Sequence, residues 1–291
     1  MKYGYYPGCS LHSTAKEYDR SLIAVCDKLN VELVEIEKWV CCGSTAAHNR
    51  SKLLATALPM ANLAIMQKMG LEEVIVPCPE CFSKLKTAQH NVERDRKIKK
   101  AVADVIQTQC NDEAKVYHPL KIFSEEPLLS KIPTLVVRDL SKLKVVCYYG
   151  CLITRPPEIT QFDVCEYPES MDRLLNAAGI TTLDWSHKTR CCGASFAISK
   201  PDIVVNLSNQ IIEDAKSVGA DAIAVACPVC HANLDTRQPD MEKIFGIRYN
   251  MPILYFTQLI GYSFGISPKD LLLHRHMTEA ESVFKINNQP V

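Results

Sequence analysis

The chain has 291 residues, of which 47% are apolar, and its 33 lysines and arginines balance 33 aspartates and glutamates. A formally neutral chain lacks the basic excess that draws proteins to phosphate backbones, so nucleic-acid binding is excluded. The length favours two domains, and the 14 cysteines are the compositional outlier.

In chain order, the first residues Met1-Lys2-Tyr3-Gly4 lead to a cysteine at position 9 rather than to an apolar run, so no secretory leader is expected. Lys2–Tyr6 reads as a short strand and Thr14–Leu29 as a helix. Val31–Ile36 alternates apolar with acidic residues, as a half-exposed strand does. After Cys41-Cys42-Gly43, residues Thr45–Met69 carry Ala, Leu and Met at helical spacing, with Gly70 as the stop. Val74–Pro77 is a buried strand that delivers Cys78 and Cys81. The charged run Arg94–Lys100 reads as an exposed helical face. A joint carrying Pro133 and several charges is expected at Lys131–Lys142, dividing the chain into modules 1–140 and 141–291.

The second half repeats the first. Val145–Tyr149, Ser170–Ala178, Thr181–Trp185, Ile198–Val218 with Gly219, and Ile223–Ala226 restate the same strand and helix series. The first cysteine set is Cys9, Cys41, Cys42, Cys78 and Cys81, with 31, 35 and 2 residues in its gaps. The second is Cys151, Cys191, Cys192, Cys227 and Cys230, with gaps of 39, 34 and 2. Flanks repeat too: Tyr5-Tyr6-Pro7-Gly8-Cys9 matches Tyr148-Tyr149-Gly150-Cys151, with the proline missing. The fold class is therefore α/β: two similar modules, each a small parallel sheet flanked by helices, related by internal duplication. The cysteine-bearing turns then fall at the C-terminal ends of strands, where open α/β sheets place their sites.

Cysteine used this heavily in a chain without export signals points to metal rather than disulfides. The most apolar late segment, Ile253–Ile266, is too short to span a membrane, and a cytoplasmic location is expected. Five cysteines per module exceed the four that tetrahedral zinc uses, and adjacent cysteines suit neighbouring irons of a cluster. Zinc scaffolding with a bystander fifth cysteine is the alternative. Pro79 and Pro228 stiffen the CxxC turns, and Gly43 and Gly193 are expected to let the backbone approach the metal. Cys26, Cys110, Cys147 and Cys165 fall outside the repeat and read as core thiols, with Cys147 the one to watch near the site. Neither half carries the closely spaced cysteine run of a bacterial ferredoxin, so electrons must come from a separate subunit.

The pattern of these residues resembles the duplicated CCG cysteine-rich domain. Over its full length, from Lys2–Ser10 to Pro252–Leu259, the chain is similar to the heterodisulfide reductase family of methanogenic archaea, in particular to its B subunits. The 34-residue gap after Cys192 is slightly shorter than the family's usual one. The resemblance implies two [4Fe-4S] clusters of non-cubane type. Cys9, Cys41, Cys42, Cys78 and Cys81 would hold one, and Cys151, Cys191, Cys192, Cys227 and Cys230 the other. It implies reduction of the coenzyme M–coenzyme B heterodisulfide between facing clusters. Its implied partners are the ferredoxin-like C subunit of heterodisulfide reductase as electron donor, the flavin-containing A subunit, and a hydrogenase or formate dehydrogenase. The rival function is a non-catalytic electron-transfer subunit beside a 2-hydroxy acid or glycerol-3-phosphate dehydrogenase.

Other candidates are fewer. His231, next to Cys230, and His48 could donate to a cluster sulfur or protonate a leaving thiolate. His118 stands at a strand end before a helix and reads as its cap, with Phe256-Thr257 in the similar place of the second module. Arg50, Lys52, Lys84, Arg155 and Lys200 follow the cysteine turns and are candidates to meet an anionic substrate.

Overall fold

The computed structural model describes residues 1–288; residues 289–291, the end of the expected second module, lie outside the described residues. The first half runs β1 (Lys2–Tyr5), α1 (Gly8–His12), α2 (Lys16–Leu29), β2 (Glu32–Glu35), α3 (Ser44–Arg50), α4 (Lys52–Lys68) and β3 (Glu73–Ile75). It continues with α5 (Pro79–Arg94), α6 (Arg96–Ile106), β4 (Lys115–Tyr117), α7 (Pro119–Phe123) and α8 (Leu128–Leu135). The second half opens with β5 (Leu140–Tyr148), α9 (Pro157–Thr160), α10 (Ser170–Ala177) and β6 (Ile180–Leu183). A 3-10 turn over Ala194–Phe196 precedes α11 (Pro201–Ser217), β7 (Ala222–Val225), α12 (Pro228–Thr236), α13 (Gln238–Phe245), β8 (Ile253–Tyr255) and α14 (Phe256–Ser263).

Each half is one four-stranded parallel sheet, ordered β2-β1-β3-β4 and β6-β5-β7-β8. The two orders are the same order, so the duplication expected from the cysteines is a duplication of topology. In each, the chain leaves the first strand in one direction and later returns to its other side. The crevice at this switch lies beyond the C-terminal ends of β1 and β3, and of β5 and β7.

Local chemistry explains the elements. Helix α2 buries Tyr18, Leu22, Val25, Cys26 and Leu29, a stripe at helical spacing, and stops where Asn30 turns left-handed at φ 58°. All four residues of β7 are buried, as in a strand covered on both faces. The single helix expected over Thr45–Met69 is two: Ser51 is extended, at ψ 149°, and its hydroxyl accepts from the Leu54 N–H, which starts α4. Likewise Asp95 divides the charged run Arg94–Lys100, its carboxylate capping α6 at the Lys97 and Ile98 N–H groups.

The halves do not keep separate cores. One buried cluster, with Tyr6, Met60, Leu63, Val76, Phe82 and Leu85, belongs to the first sheet. The other joins Tyr18, Leu22, Leu120, Phe123 and Ile132 of the first half to the core of the second. Across this seam the Ser21 and Thr257 hydroxyls are 2.7 Å apart, and Arg275 pairs with Glu17 at 3.1 Å. Among the described residues no helix is long and apolar enough to cross a membrane.

Candidate metal centres

Three loops, following the first three strands of each sheet, bring the cysteines together. Cys9 lies in α1 beyond β1, the Cys41-Cys42 pair beyond β2, and Cys78 beyond β3. Cys78 is the residue before α5, Pro79 occupies the first turn, and Cys81 sits in that turn. Proline fits there because the first helical N–H has no intrahelical acceptor to lose. Cys227, Pro228 and Cys230 repeat this arrangement at α12, so the shorter gap after Cys192 leaves the turn unaltered.

The thiols of each set converge. Cys42 Sγ is 3.3 Å from Cys81 Sγ; in the second set Cys192 is 3.5 Å from Cys230 and Cys151 is 3.9 Å from Cys191. All are free. Cys9 adjoins Cys41, and Cys78 adjoins Cys81, so each five-thiol set is continuous. Each forms a bowl with a buried floor (Cys42, Cys78 and Cys81; Cys192, Cys227 and Cys230) and a more open rim at Cys9 and Cys41, or Cys151 and Cys191.

Their protons are unequally held. Each buried thiol pair shares a hydrogen bond that lowers the pKa of Cys42 and Cys192 and raises that of Cys81 and Cys230. Cys191 is lowered to about 6, first by the Cys151 thiol, then by the Gly193 and Ala194 N–H groups and the Arg155 guanidinium. Five mutually close soft donors, with backbone N–H groups directed at their sulfurs, fit a multi-iron sulfur-ligated group. They exceed what one tetrahedral ion takes up.

Several expectations are corrected in detail. Gly43 and Gly193 take left-handed backbone, φ 82° and 80°, but a Cβ there would meet Leu58 and Ala47, or Leu207 and Val204. Their backbone still approaches sulfur, the Gly193 N–H donating to Cys191 Sγ at 3.3 Å and that of Gly43 bonding Cys41. Gly8 and Gly150 come close as well, since a Cβ there would stand 3.1 Å from Cys81 Sγ and 3.0 Å from Cys230 Sγ. The tyrosine alignment also shifts by one. Tyr6 donates to the Val40 carbonyl at 2.8 Å and Tyr148 to that of Arg190 at 2.5 Å, each the residue before a cysteine pair. Pro7 therefore corresponds to Tyr149. Cys147 lies in the interior of β5 with Asp172 and Lys188 as its charged neighbours, so it is a core thiol. Cys26 and Cys110 are buried as expected; Cys165 is only half-buried and donates to Glu166, outside the core.

Of the histidines, His48 is exposed on α3. His118 is fully buried; Nδ1 accepts from the Leu120 N–H, capping α7, and Nε2 lies 2.7 Å from the Pro77 carbonyl. Burial pushes its pKa down to about 3, and the carbonyls of Pro77 and Ala226, which precede Cys78 and Cys227, oppose that shift. In the second half the matching position is Tyr255, not Phe256-Thr257, and there the side chain caps nothing; instead the Tyr255 N–H donates to Gln258 Oε1. His231 is buried, with Nε2 3.1 Å from the Ile253 carbonyl and 2.9 Å from His276 Nδ1. Burial holds its pKa well below the usual range.

Among the basic candidates, Arg155 is the one brought to the cysteines; its guanidinium donates to the Thr189 carbonyl and hydroxyl and pairs with Glu166. Arg50, Lys52 and Lys200 are exposed, and Lys84 is half-buried on α5. Two polar neighbours were not anticipated. Asn233 donates to Cys192 Sγ at 3.4 Å, and Glu80 accepts from the Ser44 hydroxyl beside Cys42. Asn233 stands six residues after Cys227, on the helix face that meets the pair; that spacing was the available signal.

The repeated bowl decides the family, because the model of the CCG cysteine-rich domain matches residues 3–86 and 145–235, one match per bowl. The chain belongs to the CCG cysteine-rich domain family. Within it, the chain is 28% identical to the 8-methylmenaquinol:fumarate reductase membrane anchor subunit of Wolinella succinogenes, covering 96% of this chain and 98% of that one. It is 25% identical to the B subunit of the ferredoxin/F(420)H(2)-dependent CoB-CoM heterodisulfide reductase of Methanosarcina acetivorans, over 93% and 91% of the two chains. A crystal structure of a hypothetical protein from Helicobacter pylori superposes with TM-score 0.73 at 11% identity. It matches 96% of this chain and 52% of that one, a likeness of fold alone. CCG membership and these relatives make the chain an iron–sulfur redox subunit.

Proposed function

We propose that the chain is the disulfide-reducing subunit of a larger redox complex, acting on the coenzyme M–coenzyme B heterodisulfide or a close chemical relative. The carrying observation is that five thiols converge twice, on the same scaffold and at either side of one seam. Modules 1–140 and 141–291 would each hold one [4Fe-4S] cluster, of the non-cubane type, through the ten cysteines named above. When bound, such clusters supply single electrons and Lewis-acidic iron. The overall reaction, R–S–S–R′ + 2e⁻ + 2H⁺ → RSH + R′SH, breaks one sulfur–sulfur bond and needs both electrons from outside this chain. A ferredoxin-like C subunit, fed by a flavin-containing A subunit and a hydrogenase or formate dehydrogenase, is the proposed source in the cytoplasm.

The chain's own residues do the rest. The buried floors keep six of the ten sulfurs from water, and the rims leave Cys9, Cys41 and Cys191 reachable. Tyr6 and Tyr148 fix the cysteine-pair loops through their carbonyls. Arg155 offers the second site a fixed positive charge for an anionic substrate. His231 enters as a neutral ring that positions Tyr255, on which it stacks at 4.5 Å, because burial disfavours its charged form.

The test is iron and sulfide analysis of anaerobically purified protein, followed by heterodisulfide cleavage in Cys81→Ala and Cys230→Ala. Each variant should lose one site's iron and at least about a hundredfold in rate, a loss equivalent to roughly 3 kcal/mol. Full-rate cleavage by either variant would sink the two-site mechanism, and zinc without iron would sink both clusters.

A second reading, a non-catalytic electron-transfer subunit, is favoured by the full-length similarity to the Wolinella succinogenes protein. EPR with and without coenzyme M thiol separates them: a new paramagnetic signal that needs the thiol belongs to the disulfide reductase reading alone.

A further inference from the structure

Two tyrosines lie face to face in the seam between the halves. Tyr18 projects from α2 and Tyr255 ends β8; their ring centroids are 4.3 Å apart with planes 6° from parallel. Both side chains are fully buried. Neither hydroxyl has a hydrogen-bond partner among the described residues. Leaving a buried hydroxyl unpaired costs about 1–3 kcal/mol, whereas phenylalanine would fill the same space without that loss. Two such hydroxyls, side by side in a closely packed seam, point to an acceptor that the protein atoms alone do not supply.

The surroundings indicate where that acceptor is. Burial drives both phenols far above their ordinary pKa, followed by negative charge at Cys227 for Tyr18 and at Glu17, then Cys227, for Tyr255, so both are neutral O–H donors. Glu17 itself is taken up by Arg275. Both tyrosines feel Cys227 and Cys78, one from either bowl, with Cys227 the stronger, and Tyr18 also feels the core thiol Cys26 on its own helix. The tyrosines cannot drift from this position. Ser21, one turn along α2 from Tyr18, pairs with Thr257, and Glu17 pairs with Arg275. Tyr255 is clamped between the rings of Tyr18 and His231. Tyr18 belongs to the first half, yet its foremost cysteine neighbour belongs to the second.

We propose that Tyr18 and Tyr255 are positioning residues whose hydroxyls donate hydrogen bonds to the inorganic sulfur of the groups held at the two metal centres, at their facing edges, chiefly on the Cys227 side and also on the Cys78 side. The inference rests on the iron–sulfur reading above. A hydrogen bond to a cluster sulfur favours the more negative, reduced state, so the pair raises the reduction potential. Because the donors stand between the bowls, they set the two potentials jointly.

The experiment is a redox titration, followed by EPR, of anaerobically purified wild type, Tyr18→Phe, Tyr255→Phe and the double variant, each with iron content and melting temperature. The single variants should keep their iron and melt no lower than wild type. Each should shift a one-electron reduction equilibrium about tenfold toward the oxidised form, or 59 mV, with the larger shift at the second site. A purely structural role would alter melting without moving the midpoints. Full iron with unmoved midpoints overturns the tyrosine role alone, and so does loss of iron from both single variants. Wild type without iron overturns this inference together with the reading on which it rests.

Discussion

The two bowls share a scaffold and differ in what surrounds it. At the first, the Glu80 carboxylate sits beside Cys42, where its charge opposes ionisation, and Lys84 lies one turn further along α5. At the second, Val229 replaces Glu80 and Asn233 stands where Lys84 does, donating to Cys192 Sγ. Arg155 adds a positive charge near Cys191 that the first bowl lacks at its matching cysteine. Duplication copied the ligand geometry, while point changes set the electrostatics separately. The second centre should therefore be the easier to reduce, and electrons should come to rest there.

The largest test asks whether the bowls are built alike. Gly8 and Gly150 hold φ of 68° and 70° with sulfur at Cβ distance, so Gly8→Ala and Gly150→Ala should each cost about 1–3 kcal/mol in strain. Each should empty its own centre, seen as loss of one centre's iron; retention of all iron in either variant breaks the equivalence. A smaller effect sharpens the contrast. Arg155→Gln should lower the second midpoint and Glu80→Gln should raise the first, each by roughly threefold to tenfold in the reduction equilibrium. Combined, they should bring the midpoints together; a gap that stays the same size would show that these charges do not set it.

The smallest effect concerns the cap of α7, where His118 in the first half accepts from the Leu120 N–H and Tyr255 in the matching place of the second does not. Burial lowers the His118 pKa to about 3, so the unfolded chain binds the extra proton between that value and its ordinary pKa of about 6.5. Its contribution is whole above pH 6.5 and declines as the pH falls, by up to about 4 kcal/mol near pH 3. His118→Asn keeps a cap acceptor without a titrating ring. Urea midpoints taken at pH 7 and pH 5 should therefore differ less in the variant than in wild type, and equal differences would remove His118 from the acid limb.

Much of this was legible because cysteine is scarce and its positions are not interchangeable. The two sets fixed the repeat, and the repeat fixed the sheets: β1 falls at Lys2–Tyr5, as the flanking residues place it, whereas β5 runs Leu140–Tyr148 and starts five residues before the expected Val145. Ser51 was hidden because a capping serine reads like any polar residue on a helix surface until its extended backbone is seen. The glycines are only half legible: the conspicuous CCG glycines bring their N–H groups to Cys41 and Cys191, while the quieter Gly8 and Gly150, which also face sulfur, carry no motif of their own. Tyr18 and Tyr255 are 237 residues apart and resemble ordinary core aromatics, so only the folded seam brings them together.

That seam bears on how the chain arose and what it can become. Tyr18 now stacks on Tyr255 of the opposite repeat, Ser21 meets Thr257, and Glu17 pairs with Arg275. None of these partners is a copy of the other, so neither half carries both sides of the join. Cutting the gene at its midpoint would strip the cover from Tyr18, Leu22, Leu120 and Phe123, which share their buried cluster with the second half.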